Sequence, residues 1–481
     1  MSVLGRVSAA IGCTALALLL QVGHPVQAMA GEDSDCTSPA RSLRYVVLFD
    51  PATSEDMAGN EIRLACGELT GYYAEIAVGV ASSADPDFAE RMGPGRAFSA
   101  QSERRSGSGA SPRGATPGSS DRAVLSRTDP DAVPTADRTG EQWNLRMTGG
   151  DKARSAAAGS DDVVVGVLDS GIDSAHPDLT DSVDPARSAG CLSGIPDTSA
   201  QAWTPSTSPH GTHVAGTIAA ADDGAGVTGI APGVRLASVK VIDDSGYVDP
   251  EAAVCGLMWS ARQGFEVANS SFTVEPWALA CAPAGQREVV RTALERAVEY
   301  ARSAGVLTVA AATNASVNLS PSRDAGKARG GACEALPAGL RDVIAVSSVS
   351  DQRVKAGYSS YGLGVVSLTA PGGDGDSCVL STVPGGYGSL CGTSMAAPHV
   401  SAAAALLASV DPGKDVRELR DALESQADPV SCPTDYDLTG DGRQDAYCAG
   451  HTGYNGFYGH GMVDTLATVS DPSAAANHSA G

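Results

Sequence analysis

The sequence predicts an α/β protein: a three-layer sandwich of helices around a mostly parallel sheet, preceded by a small α+β domain. Three observations lead there. Apolar runs such as VVVGVL at 163–168 are too continuous for one-sided strands and read as parallel strands buried on both faces. Such runs alternate with segments of helical period. Their connections are short, as expected when helices cover both faces of a sheet.

The elements follow in order from about Glu141 to Val469. After 163–168, VRLASVKVI at 234–242 reads as a strand, 249–262 as a helix and 265–269 as a strand. Residues 286–304 give the clearest helix, because Val289, Val290, Ala293, Leu294, Ala297, Val298 and Ala301 share one face. Gly305 stops it and VLTVAAA at 306–312 returns to strand. Strands at 343–347 and 365–369 precede helices at 394–408 and 415–427. Upstream, residues 38–97 read as a small α+β unit with a strand from Tyr45 to Phe49. From the residues alone, a free-standing adaptor is one reading of it. Residues 98–138, rich in Gly, Ser, Pro and Arg without an apolar period, read as a flexible processing linker. The last residues, 471–481, read as a loose tail.

Composition bounds the function. The chain has 481 residues, 42% apolar and 19% charged, enough for a substantial core. A net charge of −23 disfavours nucleic acid and anionic membranes as partners and makes counter-ions such as calcium plausible. Residues 1–30 read as a secretory signal peptide: Arg6, an apolar run to Leu20, then Ala28-Met29-Ala30. No other stretch approaches the length of a membrane span, so the product is expected outside the cell, as a monomer. Of 11 cysteines only Cys13 lies in the leader, and the even remainder suggests disulfides. Cys36 and Cys66 stand alone in the first unit, open to pairing with each other.

Three segments carry chemistry. In VVVGVLDSGIDSAHPDL a buried strand ends at Asp169, where open parallel sheets place functional groups. A turn or capping aspartate is the plainer alternative. In SPHGTHVAGTIAA, His210 opens a small-residue helix and His213 lies one turn in, more suited to packing than to chemistry. Zinc would need a third ligand, and none is near. In LCGTSMAAPHVSAAAALL, Ser394 opens a second small-residue helix, whose N-terminus favours an oxyanion. A simple N-cap serine is the alternative. Pro398 is expected to be tolerated within the first helical turn. Taken together, the set is Asp, His, Ser: a serine hydroxyl is a poor nucleophile unless a base lies in reach and a carboxylate orients that base.

DSGIDSAHPDL, HGTHVAGT and GTSMAAPHV resemble the three signatures of the subtilisin-like serine peptidases, and the likeness runs from Gln142 to about Ala467. It implies that Asp169 orients the imidazole, His210 is general base then acid, and Ser394 attacks a peptide carbonyl. It also implies that Asn314, just past the strand at 306–312, completes the oxyanion hole. Residues 31–97 resemble the family's inhibitory propeptide, the linker 98–138 would be cut, and 139–470 would be the peptidase domain. The substrate is then a protein or peptide. A catalytically impaired relative that only binds peptide is the rival, and a broken triad or oxyanion residue would mark it.

Departures from the family fall around the substrate. Thr313 stands where glycine usually precedes the oxyanion asparagine, and Thr273 replaces a glycine after Ser271 and Phe272. By the resemblance these four residues line the pocket for the side chain before the scissile bond, so a narrowed pocket favouring small or medium apolar groups is expected. The resemblance also implies structural calcium, held by Gln142, Asp178 and Asp223 with main-chain carbonyls. The acidic run 435–445 lacks a closing glutamate and reads as a surface turn. Cysteine pairs 191–255, 378–391, 432–448 and 281–333 make a plausible set.

Overall fold

The protein is described from a computed structural model, at Cys36 and over residues 41–106, 136–274, 286–321 and 334–470. The leader, the tail, most of the insert at 274–286, the centre of the linker and the pair Cys281–Cys333 lie outside these residues. The described residues from 41 onward belong to one compact unit.

The N-terminal module comprises β1 (Leu43–Leu48), α1 (Glu55–Leu64), β2 (Glu68–Tyr73), β3 (Val78–Ser83), α2 (Phe88–Met92), β4 (Ala97–Phe98) and α3 (Ala100–Ser106). Its four strands form one sheet in the order β2-β3-β1-β4. Period-two alternation divides β1: Tyr45 and Val47 enter the module's own core with Phe88 and Ile62, while Val46 turns to the opposite face. The expected linker carries ordered structure at both ends. Phe98 closes β4, residues 100–106 are helical, and Asp137 bridges to Gly226. These ends find partners on folded surfaces, which composition does not reveal.

The larger module adds α4 (Trp143–Met147), α5 (Gly150–Ala156), β5 (Val164–Asp169), β6 (Ala189–Gly190), α6 (Ala200–Trp203), α7 (His210–Ala219), β7 (Arg235–Lys240), α8 (Pro250–Gln263), β8 (Val267–Ser270), α9 (Gln286–Ser303), β9 (Leu307–Ala311), β10 (Val343–Val349), β11 (Val366–Pro371), β12 (Val379–Val383), β13 (Gly386–Leu390), α10 (Thr393–Val410), α11 (Val416–Ser425) and α12 (Thr465–Ser470). Seven strands form the main sheet in the order β11-β10-β9-β8-β5-β7-β6, and every pairing in it is parallel. β12 and β13 form a separate antiparallel hairpin.

The continuous apolar run of β5 has the expected cause. Val165 and Val167 pack with Val214 and Ile218 of α7 and the alanines of α10. Val164 and Leu168 pack on the other side with Val254 and Leu257 of α8 and with α9. The outward face of the N-terminal sheet, with Val46, Val78 and Val80, joins that second core. The order in which strands are added switches sides at β5, with β6 and β7 on one side and β8 to β11 on the other, so the crevice beyond β5 and β8 is where a parallel sheet offers a site. Disulfides join Cys191 to Cys255, Cys378 to Cys391 and Cys432 to Cys448, as expected. Cys36 and Cys66 are both disulfide-bonded.

Candidate active site

Asp169 is the last residue of β5 and fully buried. Its Oδ1 accepts from the Ser170 N–H at 2.7 Å and meets His210 Nδ1 at 2.7 Å, while Oδ2 has no partner. The carboxylate can only accept, so Nδ1 carries the hydrogen and Nε2 is left with its lone pair. His210 opens α7, and the next residue must be glycine: a Cβ on Gly211 would overlap the Gly171 carbonyl. The Gly211 N–H donates to Ser170 Oγ at 3.0 Å, which fixes the helix start beside Asp169.

The same helix is held on its far side by β12. Ser381 and Thr382 hydroxyls donate to the carbonyls of His213 and Thr212 at 2.8 and 2.7 Å, and Gly216 leaves room for both side chains. His213 is buried, donates from Nε2 to the Val379 carbonyl at 2.9 Å, and has its pKa lowered by burial to about 3. It is a neutral packing histidine, as its place one turn into the helix implied.

Ser394 lies in the first turn of α10. Its Oγ donates to the Ser271 carbonyl at 3.1 Å, and Ser271 Oγ returns a bond to the Ser394 carbonyl at 2.9 Å. Pro398 explains the second bond. An α-helix would satisfy the Ser394 carbonyl with the N–H four residues on, and proline has none. The proline therefore lies beyond the turn in which a missing N–H costs nothing, contrary to the sequence reading, and Ser271 supplies the absent donor. Asn269 Nδ2 donates to Ser271 Oγ at 2.9 Å, and Ser401 Oγ donates to Asn269 Oδ1 at 2.8 Å. Asn269 and Ser401 were missed by sequence reasoning, since each resembles an ordinary core position.

Asn314 follows β9. Its Oδ1 accepts both the N–H and the hydroxyl of Thr393, each at 2.8 Å. With the acceptor end fixed there, the Nδ2 donor end is turned away from Thr393. Thr313 takes the positive φ of 80° that glycine would adopt without strain. Its hydroxyl pairs with Ser360 Oγ at 2.8 Å and its carbonyl accepts from Ser360 N–H at 2.9 Å. Phe272 is buried in the core shared with α8 and α9, whereas Thr273 is half-buried.

His399 was also missed. Its Nδ1 donates to the Met395 carbonyl at 2.8 Å and its Nε2 accepts from Asn144 Nδ2 at 2.9 Å, tying α10 to α4. Burial lowers its pKa to about 4.

The expected calcium donors gather around the loop 221–228. Gln142 pairs both amide ends with the Thr228 main chain at 2.9 and 3.0 Å. Asp178 is buried and accepts from Val227 N–H at 3.3 Å, while Asp223 is exposed on the same loop. Burial raises the Asp178 pKa, and the negative charge of Asp223 adds to it. The buried Asp178 carboxylate against this loop and the exposed Asp223 carboxylate on it are oxygen donors of the kind that suit calcium. Tyr387, another residue missed, donates its hydroxyl toward both Asp178 oxygens at 3.0 and 2.9 Å. Among the described residues no group of three or more His, Cys, Asp or Glu is arranged to hold a metal, so a site here would draw on amide and carbonyl oxygens as well.

The fold thus defines a parallel α/β protein in which Asp169 meets His210 at the end of β5, and Ser394 meets Ser271 just past the end of the neighbouring strand β8. Comparison with known proteins agrees. The model of the subtilase family matches residues 160–461. Subtilisin DY of Bacillus licheniformis is 34% identical over 285 residues, which span 59% of this chain and 90% of that protein. Subtilisin of Bacillus pumilus is 37% identical over 266 residues, 55% of this chain and 83% of that one. The crystal structure of a lanthipeptide protease superposes with a TM-score of 0.55 at 25% identity, covering 70% of this chain and 98% of that one. An epidermin leader peptide processing serine protease from Staphylococcus aureus, at 17% identity, shares the fold with a TM-score of 0.64 over 89% of this chain and 99% of that one. The chain belongs to the subtilase family and is a subtilisin-like serine-type endopeptidase.

Proposed function

We propose that this endopeptidase is secreted, is made as a zymogen, and cuts peptide bonds with Ser394 as nucleophile, His210 as base and Asp169 as the carboxylate that orients it. The observation that carries this reading is the 2.7 Å bond between His210 Nδ1 and Asp169 Oδ1, which leaves Nε2 as the basic nitrogen. Nε2 takes the Ser394 proton as Oγ adds to the carbonyl. It then gives that proton to the leaving amine, and water releases the acyl group by the reverse sequence. The Ser394 N–H and the Asn314 amide receive the oxyanion. Removing one such donor costs about 3 kcal/mol in the transition state. Ser394→Ala and His210→Ala should abolish cleavage of a denatured protein substrate, and Asn314→Ala should lower kcat by about a hundredfold or more with little change in KM. Full activity in Ser394→Ala would overturn the assignment.

In this reading residues 1–30 are the leader and 31–97 an inhibitory propeptide. Cutting within 98–138 frees the peptidase domain, 139–470, as a monomer that binds substrate as an added edge strand. If the full-length Ser394→Ala chain is processed at the wild-type rate in a protease-deficient host, self-cleavage is wrong. Ser271, Phe272, Thr273 and Thr313 shape the pocket before the scissile bond toward small or medium apolar side chains. A peptide-library profile dominated by Phe, Tyr or basic residues would contradict that. Gln142, Asp178 and Asp223 would hold calcium, which neutralises these carboxylates and ties the N-terminal segment to the loop 221–228. Chelation should then lower Tm, and an unchanged Tm would count against the ion.

A further inference from the structure

The first turn of α8 begins Asp249-Pro250-Glu251. An aspartate at this position ordinarily accepts from its own helix N–H groups. The Asp249 side chain makes no such bond. Both of its oxygens turn instead to the N-terminal module: Oδ1 to Arg104 Nη1 at 2.7 Å, Oδ2 to Arg44 Nη2 at 3.1 Å and to Gln101 Nε2 at 3.3 Å. Glu251 accepts Arg44 Nε on Oε1 at 3.0 Å, and its Oε2 is buried with no partner. The two carboxylates are 6% and 1% exposed. Burial, and then the charge of Asp249, raise the Glu251 pKa to about 7. The Arg104 guanidinium also lies over the Tyr247 ring, 4.7 Å from its centre.

Two adjacent buried carboxylates repel each other and are costly without a cation. The larger module supplies none of the cations paired with them here. What it supplies is geometry for a planar one: two acceptors from different residues spanned by a single Arg44 fork, and an aromatic face beneath Arg104. Other contacts between the modules include apolar packing, main-chain hydrogen bonds and one exposed ion pair. Val46, Val78 and Val80 pack against the core of α8 and α9, Arg296 donates to the Phe49 and Ile76 carbonyls, and Arg262 pairs with Glu75 in an exposed position.

We propose that Asp249, Glu251 and Tyr247 form a guanidinium-binding site on the peptidase module, and that Arg44 and Arg104 fill it as the ionic latch of the N-terminal module. This rests on the reading of that module as a detachable inhibitor only for its consequence. The site itself is a property of the whole chain.

The test uses the full-length chain carrying Ser394→Ala, so that no cleavage occurs and the proposed catalytic roles do not enter the readout. Amide hydrogen exchange in β1 and at the start of α8 is measured. Replacing Arg44 and Arg104 together by Ala should speed exchange at least about tenfold. Millimolar methylguanidinium should restore protection, methylammonium should not, and adding Asp249→Asn should remove the rescue. Should the double variant fail to fold, the same ions are placed in the refolding buffer and recovery of the near-ultraviolet dichroism is read in their place. Unchanged exchange in a folded double variant would overturn the proposal. So would no rescue, or equal rescue by methylammonium or in the presence of Asp249→Asn.

Discussion

Thr313 holds a φ of 80°, where a β-branched side chain is strained by about 1–3 kcal/mol. The strain is opposed by its bond to Ser360, a contribution of about 1 kcal/mol. These magnitudes invert the usual order of substitutions. Thr313→Ala loses the bond but keeps a Cβ at positive φ. Thr313→Gly loses the bond and sheds the strain. In the Ser394→Ala background, where self-digestion is blocked, the glycine variant should be about 1 kcal/mol more stable than the alanine variant by urea unfolding. Alanine equal to or better than glycine would show that the backbone is not strained there. The sequence signalled this position because a threonine stood where the family places glycine. It gave no hint of Ser360, which lies 47 residues further along the chain.

At the scale of the element, α10 is set by one missing hydrogen. Pro398 leaves the Ser394 carbonyl to Ser271, so Ser271→Ala should orphan a buried acceptor at a cost of about 1–3 kcal/mol. Pro398→Ala restores a main-chain donor four residues on. The double variant should therefore be less destabilised than the sum of the singles, with a coupling of about 1 kcal/mol in a double-mutant cycle. Strict additivity would mean that the two residues do not share this carbonyl. The hairpin before the helix contributes differently. Cys378–Cys391 closes a separation of 13 residues next to Gly392, and removing both sulfurs should lower stability by about 3 kcal/mol in denaturant titration. Most of these elements were legible from the sequence. Two-sided burial gave continuous apolar strands, and helix periods were unbroken up to Gly305. The signatures around Asp169, His210 and Ser394 were legible because each is local. Asn269, Ser401 and the Asn144–His399 pair were not, because their partners lie 132 and 255 residues away and only the folded sheet selects them. The ordered ends of the linker failed for a related reason: their partners belong to another module.

Across the whole molecule, two buried histidines tie together elements that share one core of the sandwich. His213 fastens α7 to β12 and His399 fastens α10 to α4. Both are neutral in the fold, with pKa values lowered from 6.5 to about 3 and about 4. In the unfolded chain each takes a proton below pH 6.5. Below that pH the unfolded state binds more protons, so stability falls with falling pH. The loss from His399 continues down to about pH 4 and that from His213 to about pH 3. Above 6.5 neither contributes. Each histidine adds about 1.4 kcal/mol per pH unit inside its window. Denaturant titrations of the Ser394→Ala chain between pH 6 and 4.5 should show this slope on top of the carboxylate contribution. Replacing His399 by Gln, which keeps a polar side chain of similar reach and cannot take the proton, should reduce the slope by about one proton, or 1.4 kcal/mol per pH unit. An unchanged slope would mean that His399 is protonated within the fold. Its Nε2 would then have lost the bond it accepts from Asn144, and the seam between α4 and α10 would have to open before the rest of the molecule.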